Sequence, residues 1–201
     1  MAIGTTLAFL SFFTFPAFAD EVVFKPEGCE FAITFPEEPY TIRKCQPDNP
    51  EECSDFTSFT HVFGVDATVN IKVTCYPAES GMRERYSGDV MKVTLAGMVK
   101  DQNPETLQTD FQEFPFAKQA VALGTATEGN SDKIFAAQLW IGDKSVYTLQ
   151  GEMIGAQLDE ADEMFIGIMG SITHESNMKK KTEAPENKDE QADSPAEKDE
   201  E

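Results

Sequence analysis

The chain has 201 residues, 36 acids against 16 Lys and Arg, and a formal net charge of −20. So acidic a body is repelled by phosphate backbones and anionic lipid headgroups, which argues against nucleic-acid binding and electrostatic attachment to membranes. Apolar residues make up 40% of the chain, enough for one sizeable core.

Met1 to Ala19 carries no charged side chain. The apolar run from Leu7 is too short for a bilayer core, which takes about 20 apolar residues, but it matches the hydrophobic stretch of an export signal. Pro16 interrupts the run just before Ala17-Phe18-Ala19, a small-x-small pattern that a signal peptidase accepts. Residues 1–19 therefore read as a signal peptide cut between Ala19 and Asp20, although the amino terminus supplies the only positive charge ahead of it. No stable membrane insertion is expected after cleavage, and the expected location is the periplasm or the medium.

Cys29, Cys45, Cys53 and Cys75 lie in the first half of the remaining chain. In an exported protein an even number of cysteines reads as disulfides. Cys29, Phe31, Ile33 and Phe35 share one face of a first strand, alternating with Glu30, Ala32 and Thr34. Pro36-Glu37-Glu38-Pro39 makes a turn, and Tyr40 to Cys45 returns as a second strand. Residues 46–52 form a loop by composition, and Phe56 to Phe63 is β-prone, with Gly64 marking a bulge or turn. From Val65 to Tyr76 the alternation is strict: Val65, Ala67, Val69, Ile71, Val73 and Cys75 face inward, as expected of an antiparallel sheet with one wetter face. Cys29 and Cys75 both point to the apolar side, while Cys45 and Cys53 flank one short loop. The preferred pairing is Cys29–Cys75 with Cys45–Cys53. Cys29–Cys45 with Cys53–Cys75 stands as the alternative.

A helix is predicted from Glu79 to Lys100, with Met82, Tyr86, Val90, Val93 and Gly97 on one stripe and Met91, Leu95 and Met98 widening it. Asn103-Pro104 closes it. Two strands follow, Thr106 to Phe116 and Ala117 to Thr127. A turn at 128–132 leads to a hairpin of Lys133 to Ile141 and Ser145 to Ile154, in which Gly142 is expected to supply an unusual backbone angle. A second helix runs from Asp159 to His174, with Leu158, Ala161, Phe165, Ile168, Met169 and Ile172 at helical spacing and acids crowding its first turn. From Glu175 onward no aromatic or branched aliphatic residue occurs, and ten acids stand against five lysines. That composition predicts a disordered acidic tail over 175–201, leaving one disulfide-stapled domain over 20–174. The fold class expected is α+β: a mainly antiparallel sheet with two amphipathic helices packed on it.

The order of elements resembles the PsbP/Mog1-like α/β/α sandwich group. The resemblance is carried by Phe31-Ala32-Ile33-Thr34-Phe35-Pro36, by the long amphipathic helix after the first sheet segment, and by Trp140-Ile141-Gly142-Asp143 leading to Tyr147-Thr148-Leu149. The last helix adds Phe165 and Gly170-Ser171-Ile172. It implies a non-enzymatic role in binding or assembly, and no catalytic or ligand set that maps onto this chain. The four cysteines are not part of the group's pattern.

Motifs for a serine nucleophile elbow, a phosphate loop, a zinc helix or an EF-hand are absent from the sequence. No catalytic, cofactor-binding or metal-binding residues are assigned. His61 sits in a strand-like run and reads as structural. His174 is expected at the last helix's C-terminus, where a cation complements the dipole. Glu37-Glu38, Glu51-Glu52 and the Asp159 to Glu163 cluster offer oxygens for a hard cation but lack loop-style ligand spacing. Thiol redox chemistry is a poor fit, since no Cys-x-x-Cys occurs. Trp140 and Tyr147 are expected to serve packing, and Phe111, Phe114 and Phe116 would mark an interaction surface only if exposed together. The reading is an exported accessory or binding protein, its partner an unidentified protein or small molecule and its oligomeric state open. The alternative is a periplasmic hydrolase whose site assembles only in the fold.

Overall fold

The computed structural model describes residues 21–46 and 49–182, with the side chains of 46, 49–52 and 179–182 outside that description. The expected leader, its Ala19–Asp20 junction and residues 183–201 lie outside the described residues. Strand β1 (Val22–Phe24), β2 (Phe31–Phe35) and β10 (Thr173–His174) form a small antiparallel sheet with β2 in the middle. The large sheet contains β3 (Tyr40–Gln46), β4 (Asn49–Phe63), β5 (Ala67–Pro77), β6 (Thr106–Phe114), β7 (Ala117–Glu128), β8 (Ser131–Ile141) and β9 (Ser145–Gly155). Its order is β3-β4-β5-β9-β8-β7-β6, antiparallel throughout. Helices α1 (Met82–Arg85) and α2 (Gly88–Met98) link β5 to β6; α3 (Asp159–Gly170) follows β9, and α4 (Glu175–Thr182) follows β10. The fold is α+β.

The buried residues of the large sheet divide between two cores, one on each face. Val69, Ile71 and Val73 of β5 and Tyr147, Leu149 and Met153 of β9 face α3 and the small sheet, meeting Phe31, Phe35, Phe165 and Met169. Gly151 permits the close approach of α3, since a Cβ there would come within 2.8 Å of the Phe165 ring and 2.7 Å of Met169 Sδ. On the opposite face α2 covers β6, β7 and β8, where Met91, Leu95 and Val99 pack on Ala120, Ala122, Ala137 and Leu139. With a helix on either side, β8 is buried on both faces from Phe135 to Ile141.

Several local expectations change. Tyr40 to Cys45 does not pair with the first strand, because both edges of β2 are taken by β1 and β10; residues 36–39 instead carry the chain across to the large sheet. The expected loop at 46–52 shortens, since β4 already begins at Asn49 opposite Gln46. Val65 is 98% exposed in the turn that Gly64 (φ 61°) begins, so inward alternation starts at Ala67. The helix of 79–100 is two helices. Tyr86 is extended, and Ser87 caps a new start by accepting from Val90 N at 3.4 Å. The break resets the phase, so Val90 and Val93 are exposed while Met91, Leu95 and Val99 are buried. Gly142 has no positive φ; its requirement is space, because a Cβ there would overlap Glu30 Oε2.

Helix α3 ends at Gly170, and His174 lies on β10 opposite Phe31, not at a helix C-terminus. Order also continues past His174, where the tail was expected to begin, because Glu175 is held at both backbone and side chain. Its N–H donates to Glu30 O at 2.8 Å, and its carboxylate accepts from Lys25 at 3.0 Å and Lys144 at 2.8 Å.

The cysteines join Cys29 to Cys75 and Cys45 to Cys53. The first bond ties the entrance of β2 to β5 and so links the two sheets. The second joins directly opposed residues of the β3–β4 hairpin. Two disulfides are compatible with an extracytoplasmic location. Among the described residues no helix is long and apolar enough to cross a membrane.

Candidate binding face of the sheet

Polar side chains concentrate in two places: a buried knot where the sheets meet, and one half of a face of the large sheet. Glu30 anchors the knot. Its Oε2 accepts from Lys144 N at 2.8 Å, Ser145 N at 2.9 Å and Ser145 Oγ at 3.2 Å, and its own N–H donates to Ser145 Oγ at 3.0 Å. The β8–β9 turn is thus bound to the start of β2. Glu30 Oε1 stands 3.6 Å from His174 Nε2. Ser176 N donates to His174 Nδ1 at 3.2 Å, which places the ring proton of the neutral imidazole on Nε2. The imidazole stacks on Phe116 at 4.4 Å and meets the edge of Phe31 at 5.3 Å.

A serine, a carboxyl group and an imidazole therefore come together, but not as a hydrolytic triad. In a triad the imidazole lies between the other two so that it can take the hydroxyl proton. Here the carboxyl group is in the middle, and Ser145 is wholly buried. The knot positions strands.

The remaining residues singled out from the sequence are dispersed. His61 lies 38% exposed between Phe59 and Phe63, with Glu37 at 3.8 Å. Trp140 and Tyr147 are in the core, and burial raises the Tyr147 phenol far above its ordinary pKa. Phe111 packs with α2, whereas Phe114 and Phe116 stack on the other face against Trp140 and His174. They form no common exposed patch. Glu37 and Glu38 are exposed, Asp159, Glu160 and Asp162 occupy the first turn of α3 with Glu163 just after it, and the side chains of Glu51 and Glu52 lie outside the described residues. Among the described residues no three His, Cys, Asp or Glu converge on a metal position.

Glu175 is the most perturbed carboxylate of this region. Lys144 first, then Lys25, hold its pKa at about 2 through hydrogen bonds to the charged form. A depressed folded value stabilises the fold above the ordinary carboxylate range and loses that contribution as pH falls through the folded value. Glu175→Gln is therefore expected to lower the unfolding midpoint at pH 7 and to leave it unchanged near pH 2. Parallel pH–midpoint curves for the two proteins, without convergence at the acid end, would show that the pairing contributes nothing to stability.

The second place is exposed. α2 covers β6 to β8, but among the described residues no helix packs on the same face of β3, β4, β5 and β9. Outward positions there follow from the register. Ile42, Phe56, Thr74 and Thr148 make one row across four strands, and Tyr40, Ser58, Lys72 and Gln150 make the next. Thr74 and Thr148 hydrogen-bond to each other, and Thr60, Asn70 and Glu152 form a chain at 2.9 and 3.2 Å. Lys44 lies over the Phe56 ring, its Nζ 5.3 Å from the centroid. Between these side chains is a cleft of about 400 Å³, within the range of small-molecule sites.

Charge separates this cleft from its neighbours. Four other surface clefts each have a carboxylate in their lining, and this one has none. Lys44 and Lys72 both line it, and neither has an ion-pair partner among the described residues. Sequence reading missed the site because its members are scattered over four strands. A signal existed in the polar side of the Val65 to Tyr76 alternation, where Lys72 and Thr74 stand.

No family model matches the chain, and no curated protein matches it. Among solved structures it is similar to LpqN of Mycobacterium tuberculosis, a protein involved in cell envelope biogenesis. The two are 12% identical over 77% of this chain and 90% of that one, with a TM-score of 0.40. A second similar structure, from Bacteroides thetaiotaomicron, is 7% identical over 76% of this chain and 47% of that one, with a TM-score of 0.30. The functional reading rests on the chain's own residues.

Proposed function

We propose that the chain is an exported, non-enzymatic binding protein that takes its ligand on the open half of the large sheet. On this reading the first nineteen residues are a leader removed between Ala19 and Asp20, the domain works in the periplasm or outside the cell, and residues beyond α4 are an acidic extension. The layering of helix, sheet and helix suits a resemblance to the PsbP/Mog1-like group, whose understood members are mostly non-enzymatic binding or assembly proteins. The observation that carries the reading is the face of β3, β4, β5 and β9 on which no helix among the described residues packs, with a cleft of ligand size. The knot around Glu30, by contrast, is enclosed and occupied with holding the turn.

The test is a resonance titration. Small molecules extracted from the cell envelope are added to the isotope-labelled full chain, and the perturbed amides are mapped. Shifts are expected along β3, β4, β5 and β9. Shifts confined to α3 and β2, or none in any fraction, would refute this placement.

A further inference from the structure

We propose that the cleft over Phe56 binds a small organic anion. Its carboxylate or phosphate group sits between Lys44 and Lys72, and its aromatic or short aliphatic body lies on Phe56 and Ile42. This inference rests on the reading of the open half-sheet as a binding surface, and it adds the chemistry of the ligand.

The first argument is electrostatic. In an acidic chain a cation is normally neutralised by a neighbour, as Lys25, Arg83, Arg85, Lys92, Lys118, Lys133 and Lys144 are here. Arg43, Lys44, Lys72 and Lys100 have no ion-pair partner among the described residues, and of these Lys44 and Lys72 stand around one depression whose own lining holds no carboxylate. Glu152, which lines the adjoining cleft with Lys72, accepts a hydrogen bond from Asn70, and exposed charges more than about 8 Å away are largely screened at physiological ionic strength. The surrounding negative charge does repel large polyanions such as nucleic acid, which must also approach the acidic remainder of the surface. A small single anion is the ligand this pattern admits.

Register supplies the second argument. Lys72 stands in the row beside Ile42, Phe56, Thr74 and Thr148, and Lys44 in the row on the other side, two strands away. Neighbouring strands are about 4.8 Å apart and residues two apart on a strand about 6.8 Å. The two Cα atoms are therefore separated by roughly 16 Å, and two lysine side chains leaning inward can close on one anionic group. Lys44 already leans over the Phe56 row.

Donors and an apolar wall complete the site. Thr74 and Thr148 spend one hydroxyl hydrogen on each other, which leaves the second for a ligand. Ser58 and Gln150 line the same cleft, and neither side chain has a partner among the described residues. Phe56 and Ile42 offer apolar surface to whatever carries the charge.

The test uses the full chain with benzoate, phenyl phosphate and, as the uncharged counterpart, benzyl alcohol. Benzoate or phenyl phosphate is expected to give saturable amide shifts over 42–44, 56–58, 72–74 and 148–150. Lys44→Glu and Lys72→Glu should each weaken that binding about tenfold or more, the loss of one charge-assisted contact. Lys100→Glu, which changes net charge equally away from the cleft, should leave it unaltered. All three positions are exposed, and well-dispersed spectra verify folding of the variants. If Lys100→Glu weakens binding as much as Lys72→Glu, or if neither anion moves these amides, the inference fails. If benzyl alcohol binds the same strands as tightly as benzoate, the anion chemistry fails while the binding face stands.

Discussion

Replacing Glu30 with alanine is expected to destabilise the protein by about 3–5 kcal/mol, because three hydrogen-bond donors in a buried site lose their acceptor. The side chain is 4% exposed, and its Oε2 receives two backbone N–H groups and one hydroxyl. Truncation leaves those donors inside the protein without an acceptor, and each such group costs about 1–3 kcal/mol. Neither sheet can relax independently, because Cys29 is disulfide-bonded to β5 and the carbonyl of Glu30 receives Glu175 N–H. Glu30→Gln keeps one acceptor oxygen and the same length, so its loss should be clearly smaller. Urea unfolding at neutral pH measures both. A Glu30→Ala protein within about 1 kcal/mol of the parent, below the cost of even one orphaned donor, would show that water replaces the carboxyl group and that the knot does not hold the sheets together.

The second large effect concerns the disulfides, which are not equivalent. Cys29–Cys75 spans 46 residues, and the loop-entropy relation assigns it about 4 kcal/mol; Cys45–Cys53 spans 8 and receives about 2.5 kcal/mol. Topology widens the gap. Cys45 and Cys53 are opposed in a hairpin that β3 and β4 already close with backbone hydrogen bonds, whereas Cys29–Cys75 joins two separate sheets. Cys29→Ala/Cys75→Ala should therefore lower the unfolding free energy well beyond Cys45→Ala/Cys53→Ala, and stepwise reduction should leave the inter-sheet bond until last. Equal destabilisation of the two double variants would contradict this account of how the layers are joined.

Glu30 illustrates why the polar knot was hard to read from the chain. In a two-residue alternation it belongs to the face opposite Cys29 and Phe31, which made it an ordinary wet position. In the fold that face is closed by the β8–β9 turn, whose Ser145 lies 115 residues away along the chain. His174 was misplaced for a related reason. The periodicity of α3 continues smoothly through Ile172, and only the free edge of β2 converts Thr173–His174 into a strand. The error in α2 was local: Ser87-Gly88 contains a cap signal, but the apolar pattern on either side of it resembles one long stripe.

Local chemistry by itself determined the kinds of element and most of their positions. Strand alternation depends only on the direction of successive side chains, helical stripes only on a turn of 3.6 residues, and the cysteine count only on composition. The α+β class with an antiparallel sheet was accordingly legible, as were the β6–β9 strands and the apolar face of α3. Tertiary structure alone decided which strands became neighbours, because pairing is settled by competition among edges far apart in the chain. It thereby decided that β2 leaves the hairpin partner expected for it, that Glu30 and His174 are enclosed, and that α2 is too short to roof all seven strands. The half-sheet it leaves open, where Lys44 and Lys72 approach one cleft from separate strands, exists only once those neighbours are chosen.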